Sequence, residues 1–168
     1  MGIAFREGVK NNTCDYVGYM DIDLATNLKH LIQVQDLFLS DPDLEFINGS
    51  RFHKDSIVSG RKWYRNITSN GLLFLLHTIL KMKATDSICG FKFFKKETAE
   101  RLISESTQTE NGWFFIIEML LRAERTGVKI YELPVEWFDD SQTSVKFIAT
   151  IKNYIKNIYR PVSYTHLR

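Results

Sequence analysis

The stretch Asp15-Tyr16-Val17-Gly18-Tyr19-Met20-Asp21-Ile22-Asp23-Leu24 runs from a short apolar segment straight into two carboxylates one residue apart. Val, Tyr and Met in so short a run read as a buried strand with bare charge at its C-terminal end. Extended alternation aims Asp21 and Asp23 the same way and packs Ile22 inward. Like charges that close repel unless a cation lies between them. Hard oxygen ligands suit Mg²⁺ or Mn²⁺, and Mg²⁺ typically takes one or two carboxylates together with substrate phosphates. The same residues also fit an Asp-rich turn that merely ends the strand.

Around this strand the pattern predicts an α/β layer. A helix is expected over Gly2 to Lys10, and another from about Ala25 to Leu39, stopped by Ser40-Asp41-Pro42-Asp43. Leu44 to Asn48 reads as a second strand running into Gly49-Ser50-Arg51. If the two strands are parallel, Arg51 reaches the end of the sheet that holds the carboxylates, where ligands bind in open α/β sheets. Phe52 to Lys62 has no clear period and reads as a mobile basic loop. Trp63 to Met82 reads as a long helix with Arg65 and Ser69 stacked at i, i+4. Asp86 through Gly90 to Phe94 reads as a turn and strand that return one acid and one base, Lys92, to the sheet. Short helices follow over Glu97 to Ser104 and from Gly112-Trp113 onward, the second carrying Glu118, which fits either a partly buried functional acid or a solvated helix residue. Val128 to Trp137 alternates as a strand, with Pro134 marking an edge or bulge.

A chain of 168 residues with 44% apolar content can bury a real core, which excludes a disordered chain. The net charge of +2 gives no argument for nucleic acid as a partner. Cys14 and Cys89 have no metal-binding spacing and read as small reduced residues in or near the core. The most apolar run, Gly71 to Leu80, is too short to span a bilayer. From Ser141 onward there is no acid. A helix expected over 145–160 places Ile148, Ile151, Ile155 and Ile158 on one side and Lys152, Lys156 and Arg160 on another. That pattern fits an anionic membrane surface, and equally an ordinary helix packed on the sheet.

Taken in order, these motifs resemble the polyprenyl-phosphate glycosyltransferases of glycosyltransferase family two, similar to dolichyl-phosphate mannose and glucose synthases. The resemblance rests on Asp21-Ile22-Asp23, Gly49-Ser50-Arg51, Arg65 with Ser69, and Asp86 through Cys89-Gly90-Phe91-Lys92. Gly112-Trp113-Phe114-Phe115 with Glu118, and Glu132-Leu133-Pro134-Val135-Glu136-Trp137 with Asp139-Asp140, complete it. It implies a Rossmann-like GT-A domain over residues 1–160, a mostly parallel sheet flanked by helices. It also implies inverting transfer of a sugar from a nucleotide-sugar donor to a polyprenyl phosphate, at the cytoplasmic face of a membrane. In that reading Asp21 and Asp23 hold Mg²⁺ or Mn²⁺. Arg51, Arg65, Ser69 and Lys92 meet phosphate of donor or acceptor, and Glu118 is a further candidate. Asp86 is the acid that would serve as base or orient the acceptor, with a structural cap as the alternative.

The chain departs from the family where Ala25 stands in place of a Gln that assists the metal in several relatives. Nothing corresponds to the family's first strands and nucleotide-gripping units, so an N-terminally truncated domain is expected, and the tail 161–168, which does not continue the family pattern, reads as non-native or disordered. Two other readings compete. Haloacid-dehalogenase phosphohydrolases also place Asp-x-Asp after a strand, although they need Thr or Val where Ala25 stands. An inactive remnant that keeps a membrane or partner surface is the non-enzymatic alternative.

Overall fold

The computed structural model describes residues 2–61 and 63–139, the side chains of 63–66 and 68 apart. Helix α1 (Gly2–Lys10) leads into strand β1 (Tyr16–Met20), and α2 (His30–Ser40) into β2 (Phe46–Ser50) and the short β3 (Ile57–Ser59). Then come α3 (Trp63–Leu80), β4 (Phe91–Lys95), α4 (Lys96–Glu105), α5 (Phe114–Arg125), β5 (Ile130–Pro134) and β6 (Glu136–Phe138). The helix expected over 145–160, the tail 161–168 and Asp140 lie outside the described residues.

Four strands form the main sheet in the order β1-β4-β2-β5. β4 is antiparallel to both β1 and β2, and β5 is parallel to β2, so three strands share one direction and β4 alone opposes them. The exits of β1 and β2 and the approach to β4 therefore lie at one end of the sheet. That topology is what gathers Asp21, Arg51 and Asp86.

Alternation along the strands divides the core into two layers. Val17, Phe46 and Phe94 join Phe5, Leu76, Leu102, Phe115 and Leu120 on one face. Ile47, Phe91 and Leu133 join Val34 and Phe38 of α2 on the other. The Phe46 and Phe94 rings stack at 4.0 Å. α5 is buried from Phe114 to Ala123 because its two charged side chains on that stretch, Glu118 and Arg122, stand at i, i+4 and pair with each other at 2.8 Å.

Several expectations need correction. The segment read as a basic loop contains β3, which pairs in parallel with β6. The strand expected over Val128 to Trp137 is two strands: Val135 gives its N–H to the Ser50 carbonyl and its carbonyl to the Ile57 N–H, and the chain passes from the large sheet to the small one. α2 begins at His30 rather than near Ala25, because residues 25–27 are recruited to β6 instead. Phe138 N–H donates to the Ala25 carbonyl and Asn27 N–H to the Glu136 carbonyl, with a bridge between Thr26 and Trp137. Cys14 is exposed rather than near the core, whereas Cys89 is buried as expected.

Candidate active site

β1 stops at Met20, and Leu24 N–H donates to the Asp21 carbonyl at 3.1 Å, with Leu24 at φ 51°. The chain thus turns at Asp21, and strand alternation ends there. Ile22, expected to pack inward, is fully exposed at the tip of this turn. Asp23 is exposed and accepts the Ala25 N–H at 3.2 Å. Asp21 is half-buried and accepts the Tyr19 hydroxyl at 2.5 Å. Its carboxylate lies over Gly90, where an added Cβ would fall 1.9 Å from Oδ2. Glycine at 90 is therefore a space requirement of the acid. Burial raises the Asp21 pKa, the Tyr19 hydrogen bond opposes that, and the charge of Asp23 adds to it. The charges of Arg51 and Lys92 pull the other way without overcoming burial.

Arg51, leaving β2, forms a bidentate pair with Asp86: Nε to Oδ2 at 2.7 Å and Nη2 to Oδ1 at 3.1 Å. Asp86 is fully buried and also accepts the backbone N–H groups of Arg51, Ile88 and Cys89. Burial disfavours its charge, but the Arg51 guanidinium, together with Lys92 and the Arg51 backbone N–H, holds the carboxyl below its ordinary pKa. Asp86 is thus a cap for its own turn and an anchor for Arg51. The Arg51 guanidinium carbon lies 5.3 Å from the Trp137 ring and 5.7 Å from that of Phe52. Arg61 approaches the same two rings at 5.5 Å each, and its Nη2 donates to Ser69 Oγ at 2.6 Å.

Beneath these groups one cross-strand row is polar through the whole sheet: Tyr19 opposite Lys92, Lys92 opposite Asn48, Asn48 opposite Glu132. Lys92, expected at phosphate, is wholly buried, and its ammonium donates to Asn48 Oδ1 at 2.5 Å and to the Cys89 carbonyl at 2.9 Å. Alternation places it on the sheet face opposite Phe91 and Phe93, the face that α1, α3, α4 and α5 cover. Asn48 Nδ2 in turn donates to the Asp86 carbonyl and to Glu132 Oε1. The row braces the Asp86 turn from below.

Glu118 also takes a different place from the one expected. Its buried carboxylate accepts the Thr107 backbone N–H and hydroxyl and pairs with Arg122, so it ties the α4–α5 loop to α5. Ser69 is buried, with Arg61 as its partner, and the Arg65 side chain lies outside the described ones. Sequence reasoning missed Arg61, Trp137, Asn48 and Tyr19 as parts of this site. Trp137 had a signal in the Glu-Leu-Pro-Val-Glu-Trp motif; Asn48 had none without the strand register.

Among the described residues no group of three or more His, Cys, Asp or Glu side chains is placed to hold a metal ion. A hard cation held by Asp21 and Asp23 would have to draw its other ligands from diphosphate and water.

No family model matches the chain. It is 33% identical over 146 residues to glycosyltransferase AglD of Haloferax volcanii, covering 87% of this chain and 23% of that protein. It is 29% identical over 163 residues to a dolichyl-phosphate beta-glucosyltransferase of Dictyostelium discoideum, covering 95% and 49%. Over 142 residues it is 30% identical to the human protein of that name, covering 81% and 43%. Among solved structures, glucosyl-3-phosphoglycerate synthase from Mycobacterium tuberculosis, in complex with Mn²⁺, UDP-glucose and glycerol 3-phosphate, matches with a TM-score of 0.56 at 14% identity, over 94% of this chain and 52% of that one. The fold is that of a GT-A glycosyltransferase. On sequence and fold together, the chain is similar to the dolichyl-phosphate glycosyltransferases of family two. It spans about half the length of these curated relatives or less.

Proposed function

We propose that this chain carries the metal-binding and acceptor-binding part of an enzyme that transfers a sugar from a nucleotide-diphosphate sugar to a dolichyl or related polyprenyl phosphate, with inversion. The observation that carries this reading is the meeting, at one end of the sheet, of two carboxylates on one turn and an arginine locked in place by a buried acid. Names among the relatives support the lipid acceptor, and the Mn²⁺ and UDP-glucose complex of the structural neighbour supports the donor class.

In this reading Asp21 and Asp23 hold Mg²⁺ or Mn²⁺, which when bound neutralises charge on the departing diphosphate. Arg51 is held by Asp86 through Nε and Nη2, so Nη1, which takes no part in that fork, can face an incoming phosphate. Arg61 and Ser69 supply a second cation and a hydroxyl beside the same aromatic pair. Asp86 acts as a positioning residue: both of its oxygens are engaged and its proton affinity is depressed. A phosphate monoester, with a second pKa of about 6, is already ionised near neutral pH and needs no strong base. The basic helix expected over 145–160 would rest on the cytoplasmic membrane surface where such an acceptor lies.

The test is transfer itself. Supplied with Mn²⁺, a nucleotide sugar and a polyprenyl phosphate, the protein should form a lipid-linked sugar, chelation should stop it, and Asp21→Asn or Asp23→Asn should lower the rate by about 100-fold or more. Unchanged rates in both variants would remove the metal assignment.

A further inference from the structure

We infer that His30 is a positioning residue: its neutral imidazole, with the proton on Nδ1, takes the Glu136 backbone N–H that the strand ladder leaves over, and thereby fixes Trp137. The cause lies in how the chain enters α2. Residues 25–27 run antiparallel to β6, with Phe138 N–H donating to the Ala25 carbonyl, Asn27 N–H to the Glu136 carbonyl, and Thr26 bridging Trp137. In such a pair the residues opposite each other exchange both N–H···O bonds, so the Glu136 N–H would ordinarily go to the Asn27 carbonyl. That carbonyl is already taken by the His30 N–H at 3.1 Å, because the chain turns there into α2. The residue that takes the acceptor also returns one: Glu136 N–H donates to His30 Nε2 at 2.8 Å.

An N–H can only donate, so Nε2 is the bare nitrogen, and a neutral ring then carries its proton on Nδ1. Nδ1 faces Gln33 Oε1, an acceptor one turn along α2, which fits that tautomer. The residue is only 4% exposed, and its ring meets Phe91 edge-on at 6.2 Å between centroids, so packing as well as hydrogen bonding sets its orientation. Trp137 follows Glu136 in a strand of three residues, and its ring lies 5.3 Å from the Arg51 guanidinium carbon and 5.5 Å from that of Arg61. Freeing the Glu136 N–H therefore loosens the backbone that aims this ring. A charged imidazole donates from both nitrogens and cannot accept, so the contact exists only while His30 is neutral. The charged group that faces the ring from β6 is the Glu136 carboxylate, itself paired with Lys29. In the core layer that α2 packs on, the titratable group is Cys89, a neutral thiol pushed up to about 12 chiefly by burial. The consequence for transfer rests on the reading above; the hydrogen bond and its tautomer do not.

The experiment is NMR of the full chain with isotope-labelled nitrogen, joined to transfer assays on the same variants. In the wild type at about pH 7.5 the His30 ring should give the nitrogen pattern of a neutral imidazole protonated on Nδ1. His30→Leu keeps bulk and loses the acceptor. It should speed hydrogen exchange at the Glu136 amide by about tenfold, the worth of one ordinary hydrogen bond, shift the Trp137 indole resonance and lower kcat/KM by a similar factor. His30→Gln offers an oxygen acceptor that does not titrate, and should return exchange and kcat/KM to within about threefold of wild type. On acidification the Glu136 amide and Trp137 indole signals should move together with the charging of the His30 ring, a step that the Gln variant should lack. A ring protonated on Nε2 at neutral pH overturns the inference, as does a Glu136 amide unmoved in His30→Leu or a ring that charges while that amide stays as it was. A ring that stays neutral wherever the chain is folded supports it, provided the proton is on Nδ1. If the tautomer and the exchange come out as expected but even the wild type transfers no sugar, the transferase reading fails and the placing of Trp137 by His30 stands. If His30→Leu exchanges faster yet transfers as well as wild type, the positioning role fails and the transferase reading stands.

Discussion

Gly90 leaves a space that the Asp21 carboxylate fills, and this residue-scale fit explains a glycine that backbone torsion does not require. Gly90→Ala should push the acid off its position; with about 1 Å of misplacement worth roughly 100-fold in rate, transfer should collapse while the melting temperature changes little. Kinetics and a melt of the same variant check both halves. Asp21 itself is held at a cost. Its folded-state pKa is raised, so near neutral pH the ionised acid destabilises the metal-free fold, a penalty absent below its unfolded pKa. Asp21→Asn should therefore raise the melting temperature of the metal-free protein and remove any stabilisation by Mn²⁺. A differential scan with and without the ion reads both effects.

At the scale of elements, the buried pair of Arg51 and Asp86 joins the exit of β2 to the approach of β4, two segments 35 residues apart in the chain. Asp86→Asn would leave the Arg51 charge buried without its partner and should cost about 3–5 kcal/mol in urea unfolding. Because the Asp86 pKa is depressed in the fold, its contribution is fully present above the unfolded carboxylate value of about 3.9 and disappears as pH falls through the lower folded value. The wild type should thus lose stability in that acid range, and the Asn variant should lack this part of the dependence. The β3–β6 ribbon is held by a contact of similar reach: Glu136 N–H donates to His30 Nε2 at 2.8 Å, which fastens β6 to the start of α2.

At the scale of the whole molecule, a sheet covered on both faces leaves the two cysteines in opposite settings. Cys89 lies within the second core layer, its thiol pushed up to about 12, chiefly by burial, while Cys14 is exposed ahead of β1. A thiol reagent at pH 8 should modify Cys14 promptly and Cys89 only in denaturant, as peptide mapping would show. The α/β class, the strand leading into the Asp21 turn, the helices α1 and α3, and the gathering of Asp21, Arg51 and Asp86 at one end of the sheet were determined by the sequence itself. Apolar periodicity and turn residues are local properties, and a chain of motifs in order carries its own fold. The reversed β4, the β3–β6 ribbon, the burial of Lys92 and the structural use of Glu118 were decided only in three dimensions. Each depends on which strand lies beside which and which face a helix covers, and pairing partners 44 residues apart, as Lys92 and Asn48 are, leave no mark on the local pattern of either.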